Sequence, residues 1–182
     1  MFPYRILFLL ILLSGCSTTK VLNTEKAEDA DFSTYKTFDF YQVEASGDTA
    51  SQRFTERVQK LEDAIALKMQ KFGYLLSKTN PDLLINLGIV VNEEVQTRQT
   101  DFRTDAPRYL GQRNYSWKSR DVEVGRYREG TVNVHVVDRK LNKLVWQGAV
   151  QDIIPQKESQ LERRIKKGVE KLFSTYPGVA RQ

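Results

Sequence analysis

Cysteine and histidine are almost missing from this chain: each occurs once in 182 residues. No disulfide can close within it, no cysteine-rich zinc site can be built, and Cys–His nucleophilic chemistry would need the two lone residues side by side. Proline (5) and glycine (10) are sparse. With 40% apolar and 28% charged side chains, the composition fits one compact globular domain and excludes a disordered or collagen-like chain. Also absent are a phosphate-binding glycine loop, a dinucleotide fingerprint, an acidic calcium loop and a Gly-x-Ser-x-Gly elbow. His135, in the middle of a valine-rich run, reads as a surface or satisfied histidine, and Glu93-Glu94 and Glu28-Asp29 read as solvated charge. No catalytic residue, metal ligand or dissociable cofactor is assigned, and the expectation is a protein that is not an enzyme.

A membrane-spanning run is missing too. The apolar stretch at residues 6–13 covers about 12 Å of a roughly 30 Å hydrocarbon core. Preceded by Arg5 and followed by Ser14 and Gly15, it has the layout of a signal peptide. Leu13-Ser14-Gly15-Cys16 resembles the bacterial lipobox. That resemblance implies cleavage before Cys16, a diacylglycerol of palmitate-type chains on its sulfur and an acyl chain on its amine. The competing reading, an ordinary buried thiol after a secretory signal, fits the small-residue pattern less well. Two or three acyl chains anchor a protein stably where one does so only marginally. Ser17 stands where an Asp would imply retention in the inner membrane, so the similarity implies an outer-membrane anchor with the protein facing the periplasm. The expected organisation is a signal peptide over 1–15, a lipidated Cys and tether over 16–30, and a single domain over 31–178.

Charge of one sign is scarce as well. Without residues 1–15, 27 basic and 23 acidic side chains remain, and residues 98–128 hold eight basic against four acidic, which accounts for the whole excess. Arg108, Arg113, Lys118 and Arg120 are interleaved there with Tyr115 and Trp117, a candidate contact for an anionic ligand or partner. Phosphate pairing and base stacking would suit nucleic acid, but export argues against that partner. The candidates become an envelope protein, peptidoglycan or an anionic lipid headgroup, for which arginine offers paired donors. The alternative is a solvated loop whose aromatics complete the core. Arg163, Arg164, Lys166, Lys167 and Lys171 form a second basic cluster that reads as a solvated helix face.

Alternating residues around Phe38 and Phe40 predict a strand over 35–41, after a short edge strand near 20–25. Phe54, Val58, Leu61, Ile65, Met69 and Phe72 follow helical spacing from Ser51 to a left-handed Gly73. Residues 83–91 are apolar on both faces and read as a central strand covered on both sides, whose polar continuation to 99 projects past the sheet. Residues 131–138 and 144–151 predict an antiparallel hairpin, with Asn142 in a left-handed turn position. Ser159-Gln160-Leu161-Glu162 resembles a capping box opening a second helix, whose stripe runs from Leu161 to Tyr176 and stops at Pro177. Two striped helices need a sheet face to cover. The expected fold is α+β, a mixed, mostly antiparallel sheet of four to five strands packed against two amphipathic helices.

Asp31-Phe32-Ser33, Tyr35-Lys36-Thr37-Phe38, Gly73-Tyr74, Pro81-Asp82-Leu83, Gly130-Thr131-Val132, Val137-Asp138 and Lys143-Leu144-Val145-Trp146-Gln147-Gly148 occur in an order that resembles the bacterial lipoproteins of domain-of-unknown-function family 4136. The resemblance implies an anchored envelope protein of uncharacterised activity and brings no catalytic residues with it. Each piece has a structural reason: Trp146 as a central packing residue, Gly148 leaving it space, Gly130 as a break before a strand. The expected function is a lipid-anchored, non-enzymatic binding or structural component of the cell envelope. Two alternatives stay open: a hydrolase of envelope polymers using acids brought together by the fold, and an amphiphile carrier with an apolar cavity between sheet and helices.

Overall fold

The computed structural model describes residues 19–47, 52–105 and 118–178. Its strands are β1 (Lys20–Lys26), β2 (Thr37–Gly47), β3 (Leu75–Leu76), β4 (Leu83–Gln99), β5 (Asp121–Asp138) and β6 (Lys143–Ile154). They form one sheet in the order β1-β6-β5-β4-β2-β3. β2 runs parallel to β3 and β4, and every other pairing is antiparallel. The helices are α1 (Gln52–Lys71), the single turn α2 (Phe102–Asp105) and α3 (Glu158–Leu172), which a 3-10 turn extends over Phe173–Thr175. The fold is thus α+β with a mixed sheet and two main helices, but with six strands rather than the four to five expected. The addition is β3, whose two residues are too few to show any period.

α1 and α3 lie side by side on one sheet face, tied across their exposed sides by Arg57–Glu158 at 2.6 Å and Lys60–Glu162 at 2.8 Å. Ile65, Met69, Leu172, Leu83, Ile85, Val134, Val136 and Trp146 belong to one buried cluster beneath them. The indole of Trp146 lies 5.1 Å from the Phe173 ring and 5.2 Å from that of Tyr176. Gly148 leaves room for it: a Cβ there would stand 2.8 Å from Leu172 Cδ1 and 2.9 Å from Trp146 Cη2.

Four expectations change. Only one side of β4 is fully buried: Leu83, Ile85, Leu87, Ile89 and Val91 face the helices, while Leu84, Asn86, Gly88 and Val90 are half-buried on the opposite face. The N-cap of α3 is Lys157, with no side-chain cap bond, and Glu162 reaches across to Lys60 instead of closing a capping box. α3 stops at Leu172, so Phe173 and Tyr176 enter the core from the 3-10 turn and the extended residue after it. Gly130 is no break: β5 runs through it, and a Cβ there would meet Ile154 Cδ1 at 3.0 Å. Gly73 and Asn142 do adopt positive φ, 90° and 48°.

Strand direction gives the molecule two distinct ends. At one end, Asp82 Oδ2 accepts from the Lys36 and Thr37 amides and the Thr37 hydroxyl at 2.9–3.1 Å, fixing β2 beside β4. Burial raises its pKa, but these hydrogen bonds outweigh that and hold it below the usual carboxylate value. Nearby, Asp138 accepts from the Tyr35 hydroxyl at 2.9 Å and from the Lys140 and Leu141 amides, closing the β5–β6 turn. At the other end lie the starts of β1, α1 and α3 and the end of β6. From there β4 and β5 run on past the sheet as a two-stranded arm, paired as far as Gln99 with Asp121.

Candidate functional site

The arm carries the basic, aromatic stretch singled out in the sequence. Arg108, Arg113, Tyr115 and Trp117 lie outside the described residues, as does Cys16. Lys118 and Arg120 are exposed at the far end of the arm, where the Arg120 amide donates to Thr100 Oγ1 at 3.0 Å and the Thr100 amide to Arg120 O at 2.9 Å. Other cations of the stretch are neutralised locally. Arg98 grips Asp105 through both terminal nitrogens at 2.5–2.6 Å, which holds the Asp105 carboxyl well below its ordinary range. Arg126 pairs with Glu123 at 2.7 Å and Glu93 at 3.7 Å. The charge excess of the sequence is therefore not a continuous cationic face along the described arm.

A cavity opens where the arm leaves the body. The first turns of α1 contribute Phe54, Val58 and Leu61, α3 contributes Leu161, Ile165 and Val169, and the sheet supplies a floor of aliphatic side chains around Val132 and Ile154. Its volume is about 140 Å³ and its wall is predominantly apolar. The polar groups come from Arg57, Arg128, Arg164 and Asp152. Arg57 is held by Glu158, and Arg164 donates to Asp152 Oδ1 at 2.5 Å. An apolar hollow with a few fixed donors at its edge suits a hydrocarbon chain attached to a polar, acceptor-rich head.

The residue before β1, Thr19, sits against two residues that line this cavity, Asp152 and Gly168. Thr19, 2% exposed, donates from its hydroxyl to Asp152 Oδ2 at 2.6 Å, and its carbonyl accepts from Lys171 Nζ at 2.6 Å. Its methyl stands 3.9 Å from where a Cβ on Gly168 would be, and Gly168 lines the cavity. Arg164 and Lys171, counted in the sequence with a solvated helix face, thus hold the β6 terminus and the entering chain.

A second cavity, about 360 Å³, lies near Phe32, Tyr74 and Gly178, with Glu28 and Asp31 in its wall. Asp31 is bonded to the Ser33 hydroxyl and amide at 2.6 and 3.0 Å, and both hold its carboxyl below the ordinary value. A general acid needs the opposite shift. Glu62 on α1 does have a raised pKa, from burial and then the neighbouring Asp63 and Asp39, but it lines neither of these two cavities. His135 is exposed on the sheet face away from the helices. Among the described residues no three His, Cys, Asp or Glu side chains gather closely enough to hold a metal ion, and no helix is long and apolar enough to cross a membrane.

Solved structures share this architecture at low identity. A PDZ domain protein from Parabacteroides distasonis aligns over 91% of this chain with a TM-score of 0.52 and 14% identity, and the chain spans 38% of that protein's length. PelC from Paraburkholderia phytofirmans, crystallised as a dodecamer, aligns over 90% of this chain and 99% of its own, with a TM-score of 0.50 and 12% identity. No curated protein matches. The model of the domain of unknown function DUF4136 matches residues 22–178, and the chain belongs to that family.

Proposed function

We propose that this protein is a lipid-anchored envelope lipoprotein without enzymatic activity, which binds the hydrocarbon chain of an amphiphile in the cavity between its sheet and the first turns of α1 and α3. The anchor is Cys16, and the protein stands at the outer membrane facing the periplasm. The observation that carries the binding site is the apolar cavity with Arg57, Arg128 and Arg164 at its edge. Its volume is close to that of an engineered apolar cavity that takes up benzene, so it has room for about six carbons. That suits part of one acyl chain, with the head outside among the guanidinium groups. The hydrolase reading is less favoured, because the Asp31 carboxyl of the second cavity is held below its ordinary value, the opposite of what a general acid needs.

The test has two arms. A palmitate analogue fed to cells should label the wild type and not Cys16→Ala; equal labelling of both would end the anchor reading. Separately, the mature chain with Cys16→Ser should retain a fatty acid in native mass spectrometry, and Ile165→Trp, which fills the cavity, should reduce that retention about tenfold or more. Unchanged retention in Ile165→Trp would end the binding reading.

A further inference from the structure

The cavity and the attachment point of the anchor are close neighbours along the chain. Thr19 is bonded to Asp152, which lines the cavity, and to Lys171, and Cys16 is three residues earlier. Three residues reach at most about 11 Å. A lipid on Cys16 therefore starts no more than about 11 Å from Thr19. Tethering on so short a chain gives the acyl group an effective concentration in the millimolar range or above.

We propose, resting on the anchor reading above, that the first occupant of the cavity is this protein's own Cys16 acyl chain, folded back into it whenever the protein is off the bilayer. The choice between cavity and membrane follows from how much hydrocarbon each removes from water. An acyl chain gains in proportion to the methylenes buried. The bilayer takes the whole chain and the cavity about six carbons, so the cavity wins against water and loses to a membrane. The ester and amide carbonyls of the lipidated cysteine are acceptors, and the guanidinium groups of Arg57 and Arg164 at the cavity edge are donors. Insertion of the anchor then empties the site, so the cavity becomes available to another amphiphile only when the protein is seated.

A diazirine-bearing palmitate analogue incorporated in cells reads this directly. The full lipidated protein is irradiated once after dilution of detergent below its micelle-forming concentration and once in membranes, and crosslinked peptides are mapped. The expected result is crosslinks from the Cys16 lipid to peptides containing Val132, Ile154 or Ile165 in the dispersed state, at least fivefold fewer in membranes, and about tenfold fewer in dispersed Gly168→Leu. His135→Ala, on the exposed sheet face away from the helices, is the control and should crosslink within twofold of the wild type. Label on Cys16 without crosslinks to those peptides overturns this proposal alone; no label on Cys16 overturns the anchor as well. Equal crosslinking of these peptides in Cys16→Ala by a diazirine phospholipid added in trans, under the same dilution, overturns it in favour of a bilayer lipid as occupant.

Discussion

Many of the residues that gave the sequence its family likeness do structural work in and beside the sheet. Asp82 fixes β2 against β4, Asp138 closes the β5–β6 turn and holds Tyr35, and Gly148 makes room for Trp146. Gly148→Ala would force a methyl into contacts of 2.8 and 2.9 Å with two buried side chains. It should cost about 1–3 kcal/mol, measured as a lower urea midpoint at unchanged slope. Tyr35 offers a test with a sign. Partial burial and then its bond to Asp138 push its hydroxyl up to about 12, from an ordinary value near 10. The folded state keeps this proton to higher pH than the unfolded chain does. Its contribution is therefore complete below about pH 10 and is lost as pH rises toward 12. In urea titrations across that window, the wild type should lose more stability than Tyr35→Phe; identical slopes would contradict the assignment.

At the scale of elements, the arm is the feature least supported by the rest of the molecule. Beyond Glu93 and Arg128 it is a two-stranded ribbon, half-exposing Val95 and Val124, and such ribbons are marginal alone. Replacing residues 94–127 by a two-residue Asn-Gly turn should leave the body's unfolding free energy within about 1 kcal/mol; a loss several times larger would mean that the arm supports the core. The projection itself was legible, because the alternation of residues 83–91 gives way to polar residues at 92–99. The hairpin of β5 and β6 and the stripes of both helices were legible for the same reason, their recurring apolar spacing, whereas β1, irregular between Val21 and Asn23, has no such alternation. β3 was not, being two residues long. Nor was the one-sided burial of β4: alternating Leu, Asn, Gly and Val at 84, 86, 88 and 90 look apolar enough to cover, and only the placement of both helices on the other face decides it.

For the molecule as a whole, the site was much less legible than the fold. The sequence left an amphiphile carrier with an apolar cavity between sheet and helices as one of three alternatives, and marked none of the residues around this cavity as a ligand contact. A void has no period. Ile165 and Val132 read as ordinary core, Arg57 and Arg164 as solvated charge, and the cavity exists only because these labels meet at the end where α1, α3 and β1 begin. The arm had drawn attention through its composition, yet in the described residues its charges are largely spent on one another.

β5 passes without a break from the tip of the arm to the floor of the cavity, and Ile154 lies across it at Gly130 like a thumb on a ruler. β6 stays paired with β5 as far as Arg128, so seven residues, Asp121 to Tyr127, run on free of it, roughly 24 Å. Ile154 packs where a side chain on residue 130 would stand, so glycine there keeps β5 close against the end of β6, between Arg128 and Val132 of the cavity lining.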